Sequence, residues 1–167
     1  MRVQKFIIRG ILPTRNEAES AARTGIWKAA QLKEAADALV CSEVRNKVEA
    51  VREYPVRLRV LWVTRDERSD PDNISAAKKY LLDALQCCKR CVACEENRRK
   101  PCTCRSCKKP PTKKKRGRCM CCPKIGCTRH ANILRNDGRK EVSSFVDFFA
   151  VDKENPRIIV EITEEAH

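Results

Sequence analysis

Two aspartates one residue apart, Asp70 and Asp72, stand where a strand-like run gives way to a helix-like one. Hydrolysing a phosphodiester without histidine calls for a divalent cation held by carboxylates, because the cation activates water and neutralises charge on the phosphate oxygens. The chain has only two histidines, His130 and the C-terminal His167, which excludes mechanisms built on several of them. Paired carboxylates at such a junction suit one Mg²⁺, with water and phosphate completing an octahedron. Aspartate at a helix start serves equally as N-cap and dipole partner, so these two residues alone leave both roles open. Asp137 in a turn and Asp83 on the following helix are further acids of weaker standing.

A second constellation is richer in metal-binding chemistry. Eleven of the twelve cysteines fall between Cys87 and Cys127, with His130 just beyond. Cys88, Cys91 and Cys94 step by three; Cys104 and Cys107, then Cys119 and Cys122, form Cys-x-x-Cys pairs, and Cys127-x-x-His130 closes the set. A short turn of this kind brings two thiolates to one zinc ion while its amides stabilise their charge. The preferred pairing is Cys91, Cys94, Cys104 and Cys107 at one Zn²⁺ and Cys119, Cys122, Cys127 and His130 at another. A third site would enlist Cys87, Cys88, Cys102 and Cys121. A disulfide framework is the competing reading; it needs an oxidising compartment, and Met1 to Leu12 lacks the small-residue cleavage site of a secretory leader. With so few apolar residues the window cannot fold by burial, so metal must stabilise it. Cys41, on an apolar helical stretch, reads as a core residue.

The window is also where the charge lies. It carries fifteen Lys or Arg against Glu95 and Glu96, a local +13 within a chain total of +14. Lys108 to Arg118 is nearly all Lys, Arg and Pro, and Lys113, Lys114, Lys115 and Arg116 are candidate phosphate contacts. The same string would pass as a nuclear import signal, a match common in basic loops. Such charge supplies affinity for nucleic acid and no sequence preference.

The elements that must position these groups lie outside the window. Residues 2–9 read as a strand broken by Pro13. Residues 17–53 read as a long helix, with Gly25 a possible interruption and Leu32, Ala36, Leu39, Val40, Val44, Val48 and Val51 spaced by three and four. Val56, Leu58, Val60 and Trp62 alternate with Arg57 and Arg59 as a second strand. Asp70 as N-cap and Pro71 at the first helical position start a second helix, whose stripe is Ile74, Ala77, Leu81 and Leu85. After a turn at 136–138, residues 144–151 and 157–162 read as two strands joined tightly at 153–156. The fold class expected is α+β: a small mixed sheet with two main helices, β-α-β-α-insertion-β-β. Residues 1–86 and 132–167 form the core and 87–131 the Cys-rich insertion. No run of about 18 apolar residues is present to span a membrane.

The stretch from Asp66 through Asp70-Pro71-Asp72-Asn73-Ile74 into Leu81-Leu82-Asp83-Ala84-Leu85 resembles the signature of the RusA-type Holliday junction resolvases. So do Asn136-Asp137-Gly138 and Asp152-Lys153-Glu154-Asn155-Pro156-Arg157 before the terminal strand, and the order of the elements around them. The likeness covers roughly 1–86 and 132–163 and skips the insertion. It implies a Mg²⁺-dependent, homodimeric endonuclease that nicks four-way DNA junctions symmetrically, with metal-binding acids at Asp70, Asp72 and Asp137. The family's catalytic lysine falls here on Ala76. Lys79, two helical turns after Asp72, is the expected substitute, with Lys78 its neighbour. Arg68, Lys78 and Lys153 are expected phosphate contacts.

The leading expectation is thus a structure-selective endonuclease acting on branched DNA in recombination or repair, as a homodimer in the cytoplasm of a bacterial or bacteriophage-infected cell. Mg²⁺ would be catalytic and two or three Zn²⁺ structural, with the insertion beside the active site. A non-catalytic nucleic-acid-binding protein on a degenerate RusA fold is the rival, favoured by Ala76. A nuclear zinc-module regulator is a third reading, resting on the basic loop.

Overall fold

Strand alternation builds the scaffold. β1 (Arg2–Arg9) buries Phe6 and Ile8 between exposed Lys5, Ile7 and Arg9, and β2 (Val56–Thr64) buries Val56, Leu58, Val60 and Trp62. β3 (Val142–Val151) and β4 (Arg157–Glu164) complete a mixed four-stranded sheet in the order β1-β4-β2-β3. β4 is antiparallel to both its neighbours, whereas β2 and β3 are parallel. This computed structural model describes residues 1–45, 47–86 and 130–165. The zinc candidates Cys91, Cys94, Cys104, Cys107, Cys119, Cys122 and Cys127, and the basic residues Lys113, Lys114, Lys115 and Arg116, lie outside the described residues.

The last two strands are not the hairpin that their tight connection suggested: each pairs with β2, one on either side. Five connecting residues reach about 16 Å when extended, more than the roughly 10 Å of two strand spacings. The crossing is pinned where Asp152 N–H donates to the Thr64 carbonyl at 2.8 Å.

The helices also depart from the expected pair. α1 (Arg15–Thr24) and α2 (Ile26–Val44) are separated at Gly25, whose φ of 143° is a conformation that suits glycine. Thr14 and Glu17 form a capping box at the start of α1. Val48 and Val51, expected on the helix, follow it; Val51 still enters the core, its N–H donating to the Ile133 carbonyl. The second helix is likewise two pieces, α3 (Pro71–Ser75) and α4 (Lys78–Leu85).

One face of the sheet carries the core. Ile74, Ala77, Leu81 and Leu85 face Phe6, Ile8, Leu58, Val60 and Ile162, together with Val40 and Val44 of α2. Each fully buried Leu or Ile contributes about 1.5–3 kcal/mol. Cys41 is buried, as its apolar stretch predicted. Lys33 clamps α2 to α4, 2.9 Å from Asp83 and 3.5 Å from Asp37, so Asp83 is a structural acid. Burial pulls the Lys33 pKa down, but the hydrogen bond Lys33 donates to Asp83 and the charges of Asp37 and Asp83 outweigh it and raise it overall. Among the described residues, no helix is long and apolar enough to cross a membrane.

Candidate active site

The route to Asp70 runs off the end of β2. The Thr64 hydroxyl donates to the Asp66 carbonyl at 2.8 Å, and the Asp66 carboxylate accepts from Arg68 N–H at 3.0 Å. This short stapled loop delivers Asp70 to the N-cap of α3, where its carbonyl accepts from Ile74 N–H at 3.1 Å. The Asp70 side chain makes no capping hydrogen bond. Capping through the carboxylate, the ordinary reason for an aspartate here, is therefore not used. Asp72 occupies the first turn of the same helix, and both residues are exposed. Asn73 accepts from Asn16 N–H at 3.0 Å, fixing α3 against the start of α1.

Arg68 and Lys153 are exposed at this same end of the sheet, Arg68 two residues before Asp70 and Lys153 in the connection that crosses Thr64. Arg157 joins them, 2.6 Å from the Asp152 carboxylate. That hydrogen bond, helped by the backbone N–H of Asn155, holds the Asp152 pKa below its ordinary value. Asp70, Asp72, Arg68 and Lys153 thus share one end of the sheet.

Asp137 is not among them within one chain. Parallel pairing sets Val56 beside Val142 and Thr64 beside Val151. Asp137 precedes β3 at the Val56 end, where Gly138 accepts from Glu141 and Val142 N–H, both at 2.9 Å. The eight residue steps of β2 span about 26 Å. The helices give the same separation: α3 and α4 run from Pro71 to Leu85, about 22 Å of rise, and Leu85 accepts from Ile133 and Leu134 N–H at 2.9 Å, close to Asp137. Among the described residues no three metal-ligating side chains converge.

The root of the insertion lies at that far end too. The chain leaves at Gln86 and returns where Ala131 N–H donates to the Ala84 carbonyl at 2.7 Å. His130 is half-buried there, its carbonyl accepting from the Asn132 amide. The described roots of the insertion, Gln86 and Ala131, thus stand at the Asp137 end of the sheet, opposite Asp70 and Asp72; the expectation that the insertion adjoins the active site falls on residues outside those described.

The two candidate lysines part company. Lys78 turns inward to Asp147, 3.0 Å away, and lies over the Phe145 ring at 4.7 Å. Trp62 Nε1 donates to the other Asp147 oxygen at 2.8 Å. Lys78 is thus committed to an internal partner rather than to phosphate, while Lys79 is exposed at the start of α4. Sequence reasoning missed Asp147 and Trp62 as partners. The available signal was an acid at a core-facing position between Phe145 and Phe149. Ala76 falls in the break between α3 and α4.

A carboxylate pair with free oxygens fits a hard cation, since Mg²⁺ is commonly held by one or two carboxylates plus substrate phosphate. Asp70 and Asp72 would hold it here. No protein-family model matches this chain, and no curated protein does.

Proposed function

We propose that this chain is a Mg²⁺-dependent endonuclease of the RusA type that nicks branched DNA as a homodimer in the cytoplasm of a bacterial or bacteriophage-infected cell. The observation carrying this reading is the pair Asp70 and Asp72, exposed and uncommitted to capping, with Arg68 two residues upstream and Lys153 exposed at the same end of the sheet. Mg²⁺ supplies water activation and charge neutralisation when bound. Lys79 stabilises the charge that develops on the phosphate, and Arg68 and Lys153 orient the strand. The zinc ligands of the insertion, Cys91 to His130, fold a cationic surface for the DNA arms.

A second copy supplies Asp137. β3 is an edge strand of ten residues, with Val146, Phe148, Phe149 and Val151 exposed on its two faces and no lysine or proline to block pairing. An edge of that kind calls for a partner. Antiparallel pairing of β3 with its own copy sets each Val142 end beside the partner's Val151 end. Asp137 then approaches the partner's Asp70 and the partner's Asp72, giving two symmetric sites for two matched nicks.

Incubation with a synthetic four-way junction and Mg²⁺ tests the proposal. Paired nicks that vanish in Asp72→Asn while binding persists support it. Binding without any cleavage by the wild-type protein would favour the rival, a nucleic-acid-binding protein that has lost catalysis, which Ala76 at the family's lysine position favours.

A further inference from the structure

The loop that delivers Asp70 roofs a half-open cavity of about 190 Å³ above the end of β2. Leu12, Trp62, Ile74, Ala77 and Ile158 make its walls, all of them buried core residues. Trp62 has already donated its N–H to Asp147, so it meets the cavity as an apolar ring. Its polar lining comes from Thr14, Thr64, Arg65, Asp66, Ser69 and Arg157. Ser69 immediately precedes Asp70, so the mouth of the cavity and the first metal-binding carboxylate stand on neighbouring Cα atoms, about 3.8 Å apart.

Size narrows the occupant. The volume falls below the roughly 300–1,000 Å³ of sites for drug-sized ligands and suits one planar ring system. Apolar and aromatic walls beside a few hydrogen-bonding side chains are what a base needs when it leaves the stack. We infer that this cavity receives one nucleobase, unstacked from the strand whose phosphate lies at Asp70 and Asp72. The inference rests on the nuclease reading above and adds a specificity subsite to it. Asp66 only accepts hydrogen bonds, Arg65 and Arg157 only donate, and Thr14 and Ser69 do both, so the lining does not treat the four bases alike.

The test uses the full chain and a four-way junction carrying 2-aminopurine at successive positions around the crossover. With Asp72→Asn holding the junction uncut, fluorescence should rise several-fold at one position beside the cut site and stay low elsewhere. Wild-type cleavage rates should differ about tenfold or more among the four natural bases at that position. Ala77→Leu, which narrows the cavity, should shrink both the fluorescence rise and the spread of rates. Cleavage with equal rates for all four bases and no fluorescence change at any position would overturn the inference and leave the nuclease reading intact. Failure of the wild-type protein to cut any branched DNA would remove the nuclease reading itself, separately visible in the same assay.

Discussion

Lys78 Nζ lies 3.0 Å from the Asp147 carboxylate, joining the first turn of α4 to the edge strand β3. Asp147 occupies the row Phe6, Val160, Val60 and Asp147 on the helix-covered face, where an unpartnered charge would be costly. Trp62 and Lys78 each satisfy one of its oxygens. The ion pair therefore locates α4 on the sheet and commits Lys78 to an internal partner.

Asp147→Ala should lower stability by about 1–3 kcal/mol, because it leaves the buried Trp62 N–H without its acceptor. Lys78→Met should cost less, since Asp147 keeps Trp62. Lys79→Ala should leave denaturant midpoints unchanged but slow junction cleavage about a hundredfold. Denaturation and cleavage rates on the three variants check this. A stability loss confined to Lys79→Ala, or a cleavage defect confined to Lys78→Met, would reverse the assignment of the two lysines.

Glu164 is a buried carboxylate that accepts from Arg52 and Glu53 N–H at 3.2 and 2.9 Å, with Arg2 3.6 Å away. It ties the segment after α2 to the end of β4. Glu164→Ala should destabilise by about 1–3 kcal/mol, as two backbone donors lose their acceptor. Urea unfolding measures it, and a change under about 0.5 kcal/mol would show that the tie is dispensable.

Asp152 provides a pH-dependent element at the crossing over β2. Its folded pKa lies below the ordinary 3.8 because of Arg157 and the Asn155 N–H. Its contribution is therefore present above 3.8 and is lost as pH falls through the lower folded value. Asp152→Asn should abolish that part of the acid dependence and leave the rest. Carboxyl chemical shifts followed from pH 6 downward report the midpoint, and one at or above the ordinary value would contradict the pairing with Arg157.

Protein purified under reducing conditions should carry two or three Zn²⁺ per chain, and chelation should release them without unfolding the sheet core, which has its own buried residues. Metal analysis with circular dichroism before and after chelation reads both. Protein that is metal-free as purified and keeps an ordered insertion would remove zinc from the account.

Much of the scaffold was legible because strand alternation is a local property. Val56, Leu58, Val60 and Trp62 declare a buried face by type alone, and Ile74, Ala77, Leu81 and Leu85 do so for the helices. Strand order was not legible, because residues 152–156 are long enough either to turn back beside β3 or to cross β2. For the same reason the spacing of Asp70, Asp72 and Asp137 hid their placement. Distance along the chain does not say which end of a strand a residue reaches, and only the parallel register of β2 and β3 reveals that Asp137 stands at the opposite end. Asp147 escaped because its importance depends on Trp62 and Lys78, whose approach is tertiary.

Mixing two inactive proteins tests the two-copy site most directly. Asp72→Asn and Asp137→Asn are each combined with a four-way junction and Mg²⁺, alone and after exchange of subunits. If Asp137 serves the partner's Asp70 and the partner's Asp72, every mixed dimer regains one intact site, restoring about a quarter of the wild-type site count as single nicks. Activity that stays at the level of the separate variants, in mixtures shown to contain mixed dimers, would contradict the composite site.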